Sequence, residues 1–225
     1  RRRLKIYGSF NAGKGHVLSV LYIKRSDTLN TMTALSIACF GDSLTYGYPY
    51  GPAASWVKEA GEKLGIAAVN EGMCGQTSAD ILARLYRALS CEKADIYVFC
   101  GGTNDILRDL APDEITGNVR AAREAVGAAG KLFVAASPLP LAPDSIACGW
   151  QSAAAAARHD TALCAYRTEL AAFAGVNTVP FIDFYASFAA MPDHRLYYTD
   201  GVHPNRRGYE IMAATALNVL RDLVR

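Results

Sequence analysis

Ala38-Cys39-Phe40-Gly41-Asp42-Ser43-Leu44-Thr45 is a stretch in which an apolar segment stops abruptly at a glycine. Residues 35–40 are mainly apolar and of strand length, and Gly41 predicts a turn directly after them. Ser43 would then lie at the carboxyl end of a buried strand, which is where ligands bind in open parallel α/β sheets. Its hydroxyl is a candidate nucleophile if a base and an oxyanion site meet it there, or else it simply caps the next helix.

Strands and helices alternate along the chain on either side of this turn. Strands are predicted at residues 35–40, 66–70, 96–100, 132–136 and 179–184. Helices are predicted at residues 54–64, 79–89, 112–129, 152–174 and 206–223, and three of them are followed by glycine. This alternation predicts an α/β fold, with a parallel sheet between two layers of helices.

The composition is that of an ordinary globular protein. Of the 225 residues, 51% are hydrophobic and 20% are charged, and the net charge is +2. Residues 1–31 contain seven Lys or Arg and one Asp, a balance of +6, so the remaining 16 Lys or Arg and 20 Asp or Glu leave −4. The small net charge argues against bulk nucleic-acid binding, and the basic character belongs to residues 1–31.

The six cysteines are scattered along the chain without a C-x-x-C pair. This spacing argues against a zinc site, and a disulfide framework is unusual in a chain of this size, so we expect neither a metal nor a cofactor. No apolar run approaches the roughly 20 residues of a transmembrane helix. No signal peptide is visible either, so we expect a cytoplasmic protein that does not insert into membranes.

Residues 1–31 fit poorly with the rest of the chain. They are predicted to be an N-terminal extension outside a domain of residues 32–225, and a β-hairpin is one interpretation of it. Within them, Gly8 to Lys14 matches most of a phosphate-binding P-loop. Gly15 replaces the required Ser or Thr, and a β-rich segment follows where a helix is needed, so nucleotide binding is a disfavoured alternative.

A candidate base lies near the C-terminus, in Asp200-Gly201-Val202-His203. An Asp three residues before a His can fold back to hold the Nδ1–H group of the imidazole, which leaves Nε2 facing a serine hydroxyl. Serine needs such a base to be a good nucleophile at neutral pH. Taken alone, His203 is also compatible with a solvent-exposed residue at the entry to a helix.

Four short blocks, in this order, resemble the signature blocks of the SGNH hydrolases, also called GDSL esterases and lipases. They are Gly41-Asp42-Ser43-Leu44, Asn70-Glu71-Gly72-Met73-Cys74-Gly75-Gln76-Thr77, Gly102-Thr103-Asn104-Asp105 and Asp200-Gly201-Val202-His203-Pro204. Each block alone is a weak signal, but each of the four lies at a predicted strand end or helix entry. The resemblance covers residues 32–225.

The resemblance implies a fold and a set of roles. The fold is a flavodoxin-like three-layer αβα sandwich with a five-stranded parallel sheet. Ser43 would be the nucleophile, His203 the general base and acid, and Asp200 the carboxylate that orients the histidine. The oxyanion hole would consist of the backbone N–H groups of Ser43 and Gly75 and the side-chain amide of Asn104. Glycine allows close backbone approach, and an amide can donate to an oxyanion.

Two polar residues beside these blocks receive structural interpretations. Cys74 has no base paired with it in the sequence, so a thiol mechanism is not expected. Asp105 is predicted to be the N-cap of the helix that follows it rather than a second catalytic acid.

The segment after the nucleophile contains Tyr46, Tyr48 and Tyr50, which are candidates for the walls of a substrate pocket. They are equally compatible with ordinary packing of a surface loop. No long apolar insertion resembles a lipase lid, so we expect short-chain, acetyl-like esters of small polar or carbohydrate alcohols. A lysophospholipase or acyl thioesterase using the same triad is the alternative, and a binding module without activity is a third possibility.

Overall fold

The computed structural model describes residues 35–91 and 94–224, all of which belong to one compact unit, Ala34–Arg225. The N-terminal extension expected at residues 1–31, with its hairpin and the alternative nucleotide site at Gly8 to Lys14, lies outside the described residues. The domain boundary at residue 32 therefore stays a prediction. Within the described part of the chain, no helix is long and apolar enough to cross a membrane.

Five strands form one sheet: β1 (Ser36–Gly41), β2 (Ala67–Gly72), β3 (Ile96–Cys100), β4 (Leu132–Ala136) and β5 (Phe181–Ile182). Their order across the sheet is β2-β1-β3-β4-β5, and every neighbouring pair is parallel. This order confirms the prediction of a flavodoxin-like sheet. Because all strands run in the same direction, their carboxyl ends meet at one edge.

Helices connect the strands and cover both faces of the sheet. The described residues contain α1 (Ser43–Tyr46), α2 (Trp56–Leu64), α3 (Ser78–Leu89), α4 (Thr103–Ile106), α5 (Pro112–Ala128), α6 (Asp144–Ala147), α7 (Ala153–Val176), α8 (Phe184–Ala189) and α9 (Arg206–Leu223). Two 3₁₀ turns lie at Pro52–Ala54 and His194–Tyr197. The five longer helices match the predicted ones, whereas α1, α4, α6 and α8 are too short to show a hydrophobic period.

The core consists of two apolar layers, one on each face of the sheet. Alternate residues of β1 point to opposite faces, so Ile37 packs with α2 and α9 while Phe40 packs with α3, α5 and α7. The central strand β3 is buried along its whole length. This arrangement is the three-layer αβα sandwich that was expected, and it fixes the edge at which β1 and β3 end.

The fifth strand is shorter than predicted. The sequence indicated residues 179–184, but only Phe181–Ile182 pair with β4. The side chain of Asp183 accepts a hydrogen bond from the backbone N–H group of Ala186 and caps α8, which begins at Phe184. This capping ends the strand because the chain turns into a helix immediately after Ile182.

Candidate active site

Ser43 lies where β1 passes into α1, at the carboxyl edge of the sheet. Asp42 is the N-cap of α1, since its Oδ1 accepts a hydrogen bond from the N–H group of Leu44 at 2.9 Å. The alternative that Ser43 is the cap is therefore wrong, and its hydroxyl is free for another partner. Gly41 is required directly before this turn because a Cβ there would overlap the side chain of Thr45.

The structure brings Ser43, His203 and Asp200 into one hydrogen-bonded chain. Oγ of Ser43 lies 2.9 Å from Nε2 of His203, and Nδ1 of His203 lies 2.8 Å from Oδ2 of Asp200. A proton on Nδ1 is donated to the carboxylate, so Nε2 is left to accept the hydrogen of the serine hydroxyl. Ser43 and His203 are both buried. The arrangement can therefore remove a proton from the serine.

The carboxylate of Asp200 is held in its ionised form. Burial raises its pKa, but hydrogen bonds to the backbone N–H and ring of His203 and to the N–H of Val202 outweigh burial, so the pKa lies below its usual value. Gly201 has φ +81°, and a Cβ there would overlap the backbone of Ser145. The loop that carries Asp200 and His203 is thus packed against α6.

Three hydrogen-bond donors lie in the segments nearest Ser43. The N–H group of Ser43 is at the first position of α1 and has no acceptor within its own helix. Gly75 has φ +77°, a conformation that favours glycine, and among the described residues no group accepts from its N–H. Nδ2 of Asn104 donates to the carbonyl oxygen of Gln76 at 2.9 Å, and its second hydrogen remains for another acceptor.

Arg84 connects these segments by hydrogen bonds, and this role was not predicted from the sequence. Its guanidinium donates to the carbonyl oxygens of Glu71 (2.6 Å) and Gly41 (3.0 Å) and to Oε1 of Gln76 (2.6 Å). It also lies over the ring of Phe40, 5.7 Å from the centroid. One rigid guanidinium therefore connects the end of β1, the end of β2 and the loop that contains Gly75. In the sequence, Arg84 is an ordinary basic residue of an amphipathic helix.

The prediction that Asp105 caps the helix following it is wrong. The N-cap of α4 is Gly102, so Asp105 lies inside that single turn, and its buried carboxylate points toward α3 instead. There it accepts hydrogen bonds from the N–H group (2.8 Å) and the hydroxyl (2.6 Å) of Ser78. Nδ2 of Asn118 donates to the same hydroxyl. Asp105 thus joins the turn that holds Asn104 to the start of α3.

Asp42, the residue before Ser43, carries a fully buried carboxyl. Burial and the nearby negative charge of Asp105 raise its pKa to about 7, although a hydrogen bond from the N–H of Leu44 opposes the shift. Its Oδ2 has no hydrogen-bond partner among the described residues.

Cys74 is exposed, and the pKa of its thiol is raised by partial burial and by the charge on Asp42. The thiol is therefore a poor nucleophile.

Two aromatic side chains cover the ring of His203. The Tyr48 ring centroid is 4.5 Å from that of His203, and the Trp150 ring centroid is 4.9 Å from it. Of the other predicted pocket residues, Tyr50 packs against the guanidinium of Arg206 at 4.7 Å, and Tyr46 is half-buried. Trp150 was missed because it belongs to no motif and reaches the site only through the fold.

No group of three or more His, Cys, Asp or Glu suited to a metal occurs among the described residues.

Known proteins share parts of the sequence and the fold of this chain. Residues 39–211 match the model of the GDSL-like Lipase/Acylhydrolase family. A lipolytic G-D-S-L family protein from Veillonella parvula is 25% identical, with a TM-score of 0.71 over 84% of this chain and 99% of that one. No curated protein matches significantly.

Two further solved structures are less than 25% identical and bear on the fold alone. A lipase/acylhydrolase from Enterococcus faecalis is 21% identical, with a TM-score of 0.69 over 85% of this chain and 97% of that one. A carbohydrate acetylesterase family member from Sinorhizobium meliloti is 18% identical, with a TM-score of 0.69 over 84% and 99%. Both share the three-layer architecture with this chain.

Proposed function

The chain belongs to the GDSL-like lipase/acylhydrolase family, and we propose that it is a serine-dependent carboxylester hydrolase that works through an acyl-enzyme. The observation that carries this proposal is the hydrogen-bonded chain from Oγ of Ser43 through His203 to Asp200. A serine hydroxyl in contact with a free imidazole nitrogen, itself oriented by a carboxylate, is the arrangement that activates a serine for acyl transfer.

In the first half-reaction the serine takes the acyl group from the ester. Oγ of Ser43 attacks the carbonyl carbon while Nε2 of His203 accepts the hydroxyl proton, and the charge of Asp200 stabilises the imidazolium. The carbonyl oxygen becomes an oxyanion that accepts hydrogen bonds from the N–H groups of Ser43 and Gly75 and from the amide of Asn104. When the intermediate collapses, the carbon–oxygen bond to the alcohol breaks and His203 protonates the departing oxygen.

In the second half-reaction water takes the place of the alcohol. Nε2 of His203 accepts a proton from water as the hydroxide attacks the acyl carbon, and the same donors hold the oxyanion. Collapse of this intermediate breaks the bond to Oγ of Ser43, which recovers its proton from His203. The products are the carboxylic acid and the free enzyme.

We further propose that the substrates are short-chain esters of small polar or carbohydrate alcohols. The exposed rings of Tyr48 and Trp150 beside His203 support this, because aromatic side chains offer flat apolar surfaces with polar groups at their rim. Between Asn104 and Asp200, the longest described run outside helices, strands and 3₁₀ turns is residues 137–143. That leaves little of this segment to form a long cover for an acyl chain.

Hydrolysis of p-nitrophenyl acetate tests the proposal. The wild-type protein should release p-nitrophenolate with saturation kinetics, and Ser43→Ala should reduce kcat to near the uncatalysed background. A matched substitution, Ser90→Ala, changes an exposed serine at the end of α3 and should leave the rate unchanged. A kcat/KM that rises steadily from acetyl to palmitoyl esters would instead support the lysophospholipase or thioesterase alternative.

A further inference from the structure

The ring of His203 is flanked by an aromatic wall, which we define as Tyr48 and Trp150. His203 is only 4% exposed, whereas Tyr48 is 39% and Trp150 is 41% exposed. Each aromatic ring is tilted or edge-on to the imidazole, with interplanar angles of 58° and 72°. The wall therefore contacts His203 with one part of its surface and presents the rest to solvent beside Ser43.

The chemistry of acyl transfer decides which half of a substrate meets this wall. His203 must place Nε2 within hydrogen-bond reach of the oxygen that leaves, because it protonates that oxygen as the alcohol departs. The alcohol half of the ester therefore lies next to the imidazole. The carbonyl oxygen is instead directed at the donors of Ser43, Gly75 and Asn104. Side chains packed on His203 consequently border the alcohol and not the acyl chain.

Trp150 is held in place before any substrate binds. Its backbone N–H group donates to the carbonyl oxygen of Ser145 at 2.9 Å. The next residue, Gln151, is buried and donates from Nε2 to Oγ of Ser145 at 2.8 Å, while its Oε1 lies 2.8 Å from Nδ1 of the buried His159. The backbone on both sides of the indole is therefore anchored while the ring remains accessible. Such preorganisation reduces the entropy cost of binding a ligand against the ring.

We propose that Trp150, together with Tyr48, binds the alcohol half of the substrate and selects ring-bearing alcohols over open-chain ones. This inference rests on the proposed ester hydrolysis. A saturated ring, such as a cyclohexyl group or the pyranose of an acetylated sugar, offers a broad apolar C–H face that matches the surface of an indole. An open-chain alcohol of similar reactivity covers less of it.

The test compares cyclohexyl acetate with 3-hexyl acetate, which are both esters of six-carbon secondary alcohols of similar leaving-group reactivity. In Trp150→Ala the ratio of kcat/KM for the cyclohexyl over the 3-hexyl ester should fall about 3- to 10-fold, the range expected for loss of an aromatic contact. Trp150→Phe should retain most of the ratio. Ile146→Ala removes an exposed apolar side chain of α6, four residues before Trp150, and should leave the ratio unchanged. The kcat/KM for tetra-acetylated methyl glucoside should change in Trp150→Ala in the same way as that for cyclohexyl acetate.

Two results would overturn the inference. If Trp150→Ala lowers kcat/KM for both acetates equally, Trp150 only shields or orients His203. If the ratio of isopropyl butyrate to isopropyl acetate changes and the alcohol ratio does not, Trp150 contacts the acyl chain. Should the alanine variant fail to fold, Trp150→Leu keeps an apolar side chain without a ring and is measured in the same way. Ester hydrolysis that persists in Ser43→Ala would mark failure of the proposed function itself, separately from these ratios.

Discussion

The guanidinium of Arg84 donates a hydrogen bond to the carbonyl oxygen of Gly41 at 3.0 Å, although the two residues are 43 positions apart in the chain. Gly41 is the last residue of β1, two positions before Ser43. The same side chain bonds to Gln76, the residue after Gly75. Ser43, the proposed nucleophile, and the loop that would stabilise the oxyanion are thus held in a fixed arrangement by the side chain of Arg84.

Arg84→Lys should reduce kcat about tenfold with little change in KM, because misplacement of oxyanion donors weakens binding of the transition state more than that of the ester. A lysine ammonium cannot reproduce three hydrogen bonds in one plane. The measurement is steady-state kinetics with p-nitrophenyl acetate. Arg87→Lys, an exposed arginine one turn away on α3, is the matched control and should behave as the wild type. An unchanged kcat in Arg84→Lys would show that the loop does not depend on Arg84.

Asn104→Ala should lower kcat by about 10²–10³, the usual consequence of removing one oxyanion donor. It also removes the hydrogen bond to the carbonyl oxygen of Gln76, so part of the loss reflects movement of the Gly75 loop. Asn104→Asp should be at least as impaired, since a carboxylate cannot donate and repels an oxyanion. A change confined to KM in both variants would mean that Asn104 binds the ground state only.

Titration of Asp42 should lower the free energy of unfolding as the pH rises from about 4 to about 7. Because its pKa is raised to about 7 in the fold, the folded state binds a proton that the unfolded chain has already lost. The stabilisation is complete below the ordinary pKa of an aspartate and is lost as the pH passes the folded-state value. The shift corresponds to on the order of 4 kcal/mol for this fully buried group.

Asp42→Asn should remove most of this pH dependence. Asparagine still accepts the hydrogen bond from the N–H of Leu44 and is a good N-cap, but it does not ionise. Urea unfolding at pH 5 and pH 8 measures the difference in the free energy of unfolding. This difference should be smaller in the variant than in the wild type. An identical difference in the two proteins would show that Asp42 does not titrate in this range.

Local sequence signals were sufficient to locate the strands approximately and to pair Asp200 with His203, whereas the contact of His203 with Ser43, 160 positions away, was expected only from the resemblance to the family. The apolar runs of β1 and β3 end in glycine, and Asp200 and His203 lie three residues apart, so each signal is contained within a few positions. The roles of Arg84 and Trp150 could not be found in this way. Arg84 acts on carbonyl oxygens of two strands and a loop, and Trp150 reaches His203 through the packing of α6 against the Gly201 loop.

Asp105 shows a related limit of sequence reasoning. Its position after Gly102-Thr103-Asn104 is compatible with a helix cap, and the local pattern offers no reason to reject that role. The carboxylate finds its partners on α3, 27 residues earlier in the chain, because the two helix starts meet at the same sheet edge. Which donor a buried carboxylate accepts from is decided by packing and not by the neighbouring sequence.

Ser43 is proposed to carry the acyl group, and its reaction with a fluorophosphonate ester is the measurement that tests this role. The serine oxygen should displace fluoride and form one covalent phosphonyl bond per chain, and loss of esterase activity should parallel the mass increase. After proteolysis, mass spectrometry should locate the adduct on Ser43, and Ser43→Ala should remain unlabelled. Labelling of another residue that accounts for the lost activity, or unlabelled Ser43 in a fully inhibited protein, would show that Ser43 is not the nucleophile.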